Sequence, residues 1–325
     1  MKSPVFLFSL PRAGSTLLQR MLLSHPQIGG TAEPWILLPW IYAIKKYGTY
    51  AEYSHTSCFN AIQDFISTLP NREVSYLSQL SKCAFSLYQQ QLYNEELYFL
   101  DKTPRYYLII PEIAKMFPRA KFIFLFRNPL SILSSVIKTW NNDKLRLHNN
   151  YIDLINGPRK IAEGYEILKK KAVRIQYEDL VKNPEDQLKR IVSYLDINFE
   201  SHMVEKFMNL ELSGRMGDPT GRFAYDKVEK SSIDKWKKTF YTKRRVSYAK
   251  KYLKKIGSSV LDVHGYKEQD LISQLSSLTP KQSGYITDNY NLLIGSMFRI
   301  FEFNQVKTRI NRKIDFKGKP FYQHM

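Results

Sequence analysis

Residues 9–22 read SLPRAGSTLLQRML and follow directly on the apolar run Pro4-Val5-Phe6-Leu7-Phe8. A strand, a tight turn and then a helix is an arrangement that holds an anion, because the unpaired N–H groups of a helix start converge there. Gly14 allows close backbone approach, and Ser15 and Thr16 can cap the helix while offering hydroxyls to a ligand. The loop lacks the G-x-x-x-x-G-K-[ST] spacing of an ATP-binding loop and has no lysine. Before Ala13 stands Arg12, whose planar donor fork suits phosphate or sulfate oxygens.

Other polar clusters follow other apolar runs. Asp101-Lys102-Thr103-Pro104 follows residues 97–100, and Arg127-Asn128-Pro129 follows residues 121–126 and leads to Ser134 and Ser135. Tyr177-Glu178-Asp179-Leu180 follows residues 173–176. Three run ends therefore offer a cation, Arg12, Lys102 and Arg127, which suits group transfer from a small polyanionic donor. A nucleotide-dependent kinase is the alternative, with Asp101 of LYFLD as its metal-holding carboxylate. The missing loop lysine and the scarcity of free carboxylates favour an anionic donor bound without a metal.

The elements that must position these residues are legible. Residues 5–10, 97–100, 121–126 and 173–176 are short, apolar and separated by helical patterns, as in a parallel sheet covered on both faces. Ligands of such sheets bind beyond the carboxyl ends of the strands. The expected fold class is α/β, a P-loop-like three-layer sandwich with a central parallel sheet flanked by helices. A helical insertion is expected at about residues 35–95, forming one wall of a cleft. The main domain is expected to span 1–265, with a helical extension and basic tail over 266–325. The stretch NLLIGSMFRIFEF in that extension is expected to dock on the core, with pairing to a second copy or contact with a membrane as the other outcomes.

Composition bounds the remaining classes. The formal charge of +19 fits nucleic acid, an anionic membrane or a small polyanion, and much of it lies between Lys235 and Lys255. There Val246, Ala249, Tyr252, Leu253 and Ile256 recur at helical spacing, so the lysines read as a solvated helix face. No nucleic-acid partner is expected, since that would leave unexplained why cations follow strands. Cys58 and Cys83 form neither a disulfide framework nor a metal-ligand spacing. No apolar run reaches the roughly 18 residues of a membrane span, and no signal peptide is evident. A cytoplasmic protein is expected.

SLPRAGSTLL resembles the 5′-phosphosulfate loop of sulfotransferases that use 3′-phosphoadenylyl sulfate (PAPS), and FRNPLSILSS resembles their 3′-phosphate motif. The likeness is closest to the tyrosylprotein sulfotransferase branch and covers roughly the first 240 residues, with DKTP, YEDL and DKW in family order. It implies PAPS as donor, transferred by in-line displacement to a peptide tyrosine, a saccharide or a small alcohol. It implies that Arg12 meets the 5′-phosphosulfate, that Arg127 and Ser135 clamp the 3′-phosphate, and that Tyr177 contacts the adenine end. Lys102 matches a lysine that assists the leaving group, and Glu33 in GGTAEPW matches the branch's general base. Thr220, Gly221 and Arg222, with Lys235 in DKW, align with a segment closing over the donor. His25 and Gly30 are expected to pack, and His148 is not expected to act as base. Where the branch has an arginine after its 3′-phosphate serine, this chain has Thr139.

Overall fold

The structure, a computed structural model, describes residues 1–49, 51–93, 96–210, 230–281 and 285–301. Five parallel strands form one sheet: β1 (Ser3–Ser9), β2 (Ile28–Gly30), β3 (Tyr98–Asp101), β4 (Lys121–Phe126) and β5 (Ala172–Gln176), in the order β2-β3-β1-β4-β5. The four expected strands are present within two residues of their expected bounds. The fifth, β2, was not expected. Its three residues, Ile-Gly-Gly, carry no periodicity, and pairing with β3 from Ile28↔Tyr98 to Gly30↔Leu100 is what makes them a strand. Gly30 is needed there, because a Cβ would lie 2.7 Å from the Leu100 carbonyl oxygen.

Alternation along the strands sorts their side chains into two cores. Phe6, Phe8, Phe122, Phe124 and Phe126 bury against one helical layer, while Val5, Leu7, Leu100, Ile123 and Leu125 bury against the other. On the first face the rings form a ladder, with Phe8 stacked at 6.1 Å on both Phe6 and Phe122. The second layer includes the helices Ser15–Leu23 and Pro184–Leu195. Helix, sheet and helix make the three-layer sandwich expected. Central β1 has β3 on one side and β4 on the other, so the strand order reverses there, and ligands of open α/β sheets bind at that place.

Three helices, Leu37–Tyr42, His55–Ser67 and Arg72–Gln89, form the insertion between β2 and β3. The basic segment folds as the helix Lys243–Ile256, with the five expected apolar residues and Arg245 buried. The helix Tyr285–Ile300 docks on the core through a buried ion pair, Arg245 Nε to Asp288 Oδ1 at 3.1 Å.

Candidate functional site

The turn after β1 is built by two left-handed residues. Arg12 has φ 67° and Gly14 φ 91°, and the Ala13 N–H closes the turn on the Leu10 carbonyl at 3.1 Å. Successive N–H groups in such a turn form an anion-binding concavity, and the helix Ser15–Leu23 follows it at once. Gly14 itself is the N-cap, with no side-chain cap bond, so Ser15 and Thr16 do not cap. They are the first two helical residues, both buried, with backbone N–H groups among the four that a helix leaves without intrahelical partners. Gly14 is also sterically required, since a Cβ would sit 2.3 Å from Tyr177 Cε2.

The two arginines meet at this turn. Arg127, directly after β4, donates from Nη1 to the Arg12 carbonyl at 2.8 Å and stacks 4.1 Å over the Tyr177 ring. Its Nε is buried and has no hydrogen-bond partner. The Arg12 guanidinium crosses to the helix Pro129–Ser135 and donates from Nε to Ser135 Oγ at 2.9 Å. Its Nη2 reaches Thr139 Oγ1 at 3.4 Å, and its carbon lies 5.8 Å from the half-exposed Trp140 ring. Arg12 thus joins the loop after β1 to the helix Pro129–Ser135, which the sequence assigned to separate motifs. Tyr177 is buried between Gly14 and Arg127, and its hydroxyl bonds Ser232 at 3.1 Å.

A second cluster lies at the end of β3. The stagger is visible in the register: β3 ends with Asp101 opposite Phe6, whereas β4 runs on beside Ser9. Three residues of strand correspond to about 10 Å. Lys102 is 1% exposed and donates from Nζ to Glu33 Oε1 at 2.7 Å, and the Glu33 side chain is 8% exposed. The other Glu33 oxygen accepts from Trp35 Nε1 at 3.0 Å. Trp35 sits at φ 59° and its N–H donates to Thr103 Oγ1 at 3.3 Å. From the anion loop's own helix, Gln19 Nε2 donates to the carbonyls of Thr31 and Ala32 at 2.8 and 2.7 Å. Gln19 therefore ties that helix to the segment carrying Glu33.

Asp101 does not face a ligand. It is wholly buried and accepts from Tyr88 (2.6 Å), Tyr106 (3.1 Å) and Thr103 (3.0 Å). Burial pushes its carboxyl up to about 6, against the lowering effect of those hydroxyls. The kinase reading needed this carboxylate on a metal, and its burial removes it from that role. Among the described residues, no three His, Cys, Asp or Glu side chains cluster as a metal site.

The remaining candidates divide. Lys235 opens the exposed turn Lys235–Thr239, which Trp236 and a Ser134–Thr239 hydroxyl pair at 2.6 Å anchor beside the Ser135 helix. Thr220, Gly221 and Arg222 lie outside the described residues. His25 packs, accepting from the Gln27 N–H and donating to the Asn198 carbonyl. His148 lies against Phe298 at 5.0 Å, and burial and then Arg146 push its pKa down. Sequence reasoning missed Gln19, Trp140 and Ser232, and it did not foresee that Trp35 would hold Glu33. Only Trp35 had a signal, its place two residues after Glu33.

Residues 4–201 match the Sulfotransferase family. The nodulation protein NoeE of Sinorhizobium fredii is 26% identical over 214 residues, which cover 58% of this chain and 49% of that protein. The protein-tyrosine sulfotransferase of Drosophila melanogaster is 23% identical over 239 residues, covering 70% of this chain and 43% of that one. The chain spans about half the length of these two relatives. Among solved structures, the sulfotransferase domain from the curacin biosynthetic pathway superposes with a TM-score of 0.51 at 20% identity, over 73% of this chain and 91% of that one, and shares the fold. With more than half its length matched and the turn after β1 inside the match, the chain belongs to the Sulfotransferase family.

Proposed function

We propose that this protein transfers a sulfuryl group from 3′-phosphoadenylyl sulfate to an acceptor hydroxyl and releases adenosine 3′,5′-bisphosphate. The observation that carries the reading is the meeting of Arg12 and Arg127 at one turn, where Arg127 keeps a buried Nε without a partner. Two planar guanidinium forks converging on one turn suit a ligand that arrives highly anionic. The donor supplies the activated sulfur; the chain supplies position and charge.

Arg127 and Ser135 hold the 3′-phosphate in this assignment, and the turn N–H groups with Arg12 hold the 5′-phosphosulfate. Glu33 takes the acceptor proton. Each of its oxygens already accepts one hydrogen bond, from Lys102 or Trp35, and a carboxylate oxygen has a second lone pair for the incoming hydroxyl. The acceptor oxygen forms the new S–O bond as the bond from sulfur to the phosphate oxygen breaks. Lys102 supplies positive charge as negative charge grows on the leaving side. The acceptor is a hydroxyl compound, and the insertion walls its entry.

Thermal unfolding with adenosine 3′,5′-bisphosphate, beside ATP with magnesium, tests the reading. Ligand at about a hundred times its dissociation constant adds roughly 2.7 kcal/mol, a rise of several degrees. The rise is expected with the bisphosphate and is lost in Arg127→Ala. A rise with magnesium ATP alone would overturn the assignment.

A further inference from the structure

The helix Tyr285–Ile300 has an inner face that the core explains and an outer face that it does not. Inside, Asp288 meets Arg245 and Thr242, and Asn291 accepts from Arg146 at 3.3 Å. Outside, Ile286, Tyr290, Leu293, Met297 and Ile300 are 85, 60, 61, 40 and 68% exposed. Their spacing is four, three, four and three residues, which keeps them on one stripe of a helix. The stripe is about 21 Å long at 1.5 Å per residue. A continuous exposed apolar stripe of this kind marks an interaction surface.

The charge beside the stripe selects its occupant. Leu292, Gly295 and Ser296 of this helix share a cleft with Lys251 and Lys255 of the helix Lys243–Ile256. Lys254 is exposed one residue before Lys255. The helix Lys243–Ile256 contains no acidic residue, and the one acid of Tyr285–Ile300, Asp288, is buried on Arg245. A second copy packed stripe to stripe about a twofold axis would bring these lysines against their own images, and like charges face to face oppose association. An anionic lipid surface meets both features at once. Apolar side chains enter the headgroup boundary while lysines sit among negative headgroups. No helix among the described residues is long and apolar enough to cross a membrane.

We infer that the outer face of the helix Tyr285–Ile300, with Lys251 and Lys255 beside it, docks the protein peripherally on an anionic membrane surface. The sequence beyond Phe301 adds Lys307, Arg309, Arg312 and Lys313 on the same side of the chain's charge balance. This inference is independent of the sulfuryl-transfer reading.

Vesicle co-sedimentation of the full chain tests it, with phosphatidylcholine vesicles compared with phosphatidylcholine–phosphatidylserine vesicles. Binding is expected to the serine-containing vesicles only and to fall as salt rises. Lys251→Ala with Lys255→Ala should weaken it by about fivefold per lysine. Leu293→Glu with Met297→Glu should abolish it, with the melting temperature unchanged because both positions are exposed. Equal binding to both vesicle types, or none to either, would overturn the proposal. So would a dimer in sedimentation equilibrium that Leu293→Glu dissociates, since the occupant would then be a second copy.

Discussion

Arg12 Nε lies 2.9 Å from Ser135 Oγ, although the two residues are 123 positions apart in the chain. The guanidinium that belongs to the first loop thus rests on the serine of the second, and Thr139 takes its other side. Ser135→Ala removes the acceptor for Arg12 and, in the proposed assignment, one hydroxyl for the nucleotide. Hydrogen bonds to charged groups are worth about 1.5–3 kcal/mol, so bisphosphate affinity should fall by about tenfold to a hundredfold. Calorimetric titration checks this, and an unchanged dissociation constant would remove Ser135 from the nucleotide site.

Lys102 and Glu33 are both buried, so each is costly without the other. Glu33→Gln takes the counter-charge from a buried ammonium, and Lys102→Met takes it from a carboxylate whose side chain is 8% exposed; each should lose up to about 3–5 kcal/mol of stability. The double variant should recover much of that loss, as coupled neighbours do. Urea denaturation of the four proteins measures the cycle. Activity separates the roles: the double variant should bind bisphosphate normally and turn over at a small fraction of the parent rate. Normal turnover in it would show that the base is another residue.

Asp101 sets a pH dependence of known sign. Burial raises its carboxyl from 3.8 to about 6, so between those values the folded protein holds a proton that the unfolded chain has released. The stability from that proton is fully present below the unfolded value and is lost as pH rises through about 6. The change is roughly 3 kcal/mol. Asp101→Asn should flatten this component, so the parent loses most of that amount more than the variant between pH 4 and pH 7 in chemical denaturation. Parallel curves for the two proteins would mean an ordinary carboxyl.

Arg245 fastens the C-terminal helix through Asp288 and holds Asp143 at 2.6 Å. Asp288→Ala should leave this buried guanidinium short of a counter-charge and cost about 3–5 kcal/mol. It should also expose the helix to limited proteolysis ahead of the rest of the chain. Cleavage elsewhere first would show that the helix is held by other contacts.

Much of the frame was legible in the sequence because buried parallel strands write themselves as apolar runs with a charged residue after each. KFIFLF then Arg127 and YFLD then Lys102 are such cases, and both cations stand at the expected sheet edge. β2 was not legible, since Ile28-Gly29-Gly30 is a strand only by virtue of its neighbour. The site was legible as types and places but not as partnerships. That Asp101 turns inward while Lys102 turns toward Glu33 depends on Tyr88, from an insertion helix, and on Tyr106. The reach of Arg12 to Ser135 depends on a left-handed backbone at a non-glycine residue, which no local pattern announces.

The insertion leaves the sheet after β2 and returns at β3, and these two strands pair directly with each other. The loop is therefore closed at its neck, with Glu33 and Lys102 joined just beyond that closure. Doubling such a loop costs only about 0.6 kcal/mol in closure entropy. Between the helices Leu37–Tyr42 and Arg72–Gln89, a stretch that excludes Glu33, Trp35 and Tyr88, the segment can lengthen or shorten without moving the ion pair. In the proposed reading, such a change would reshape the wall of the acceptor cleft and leave the reacting groups in place.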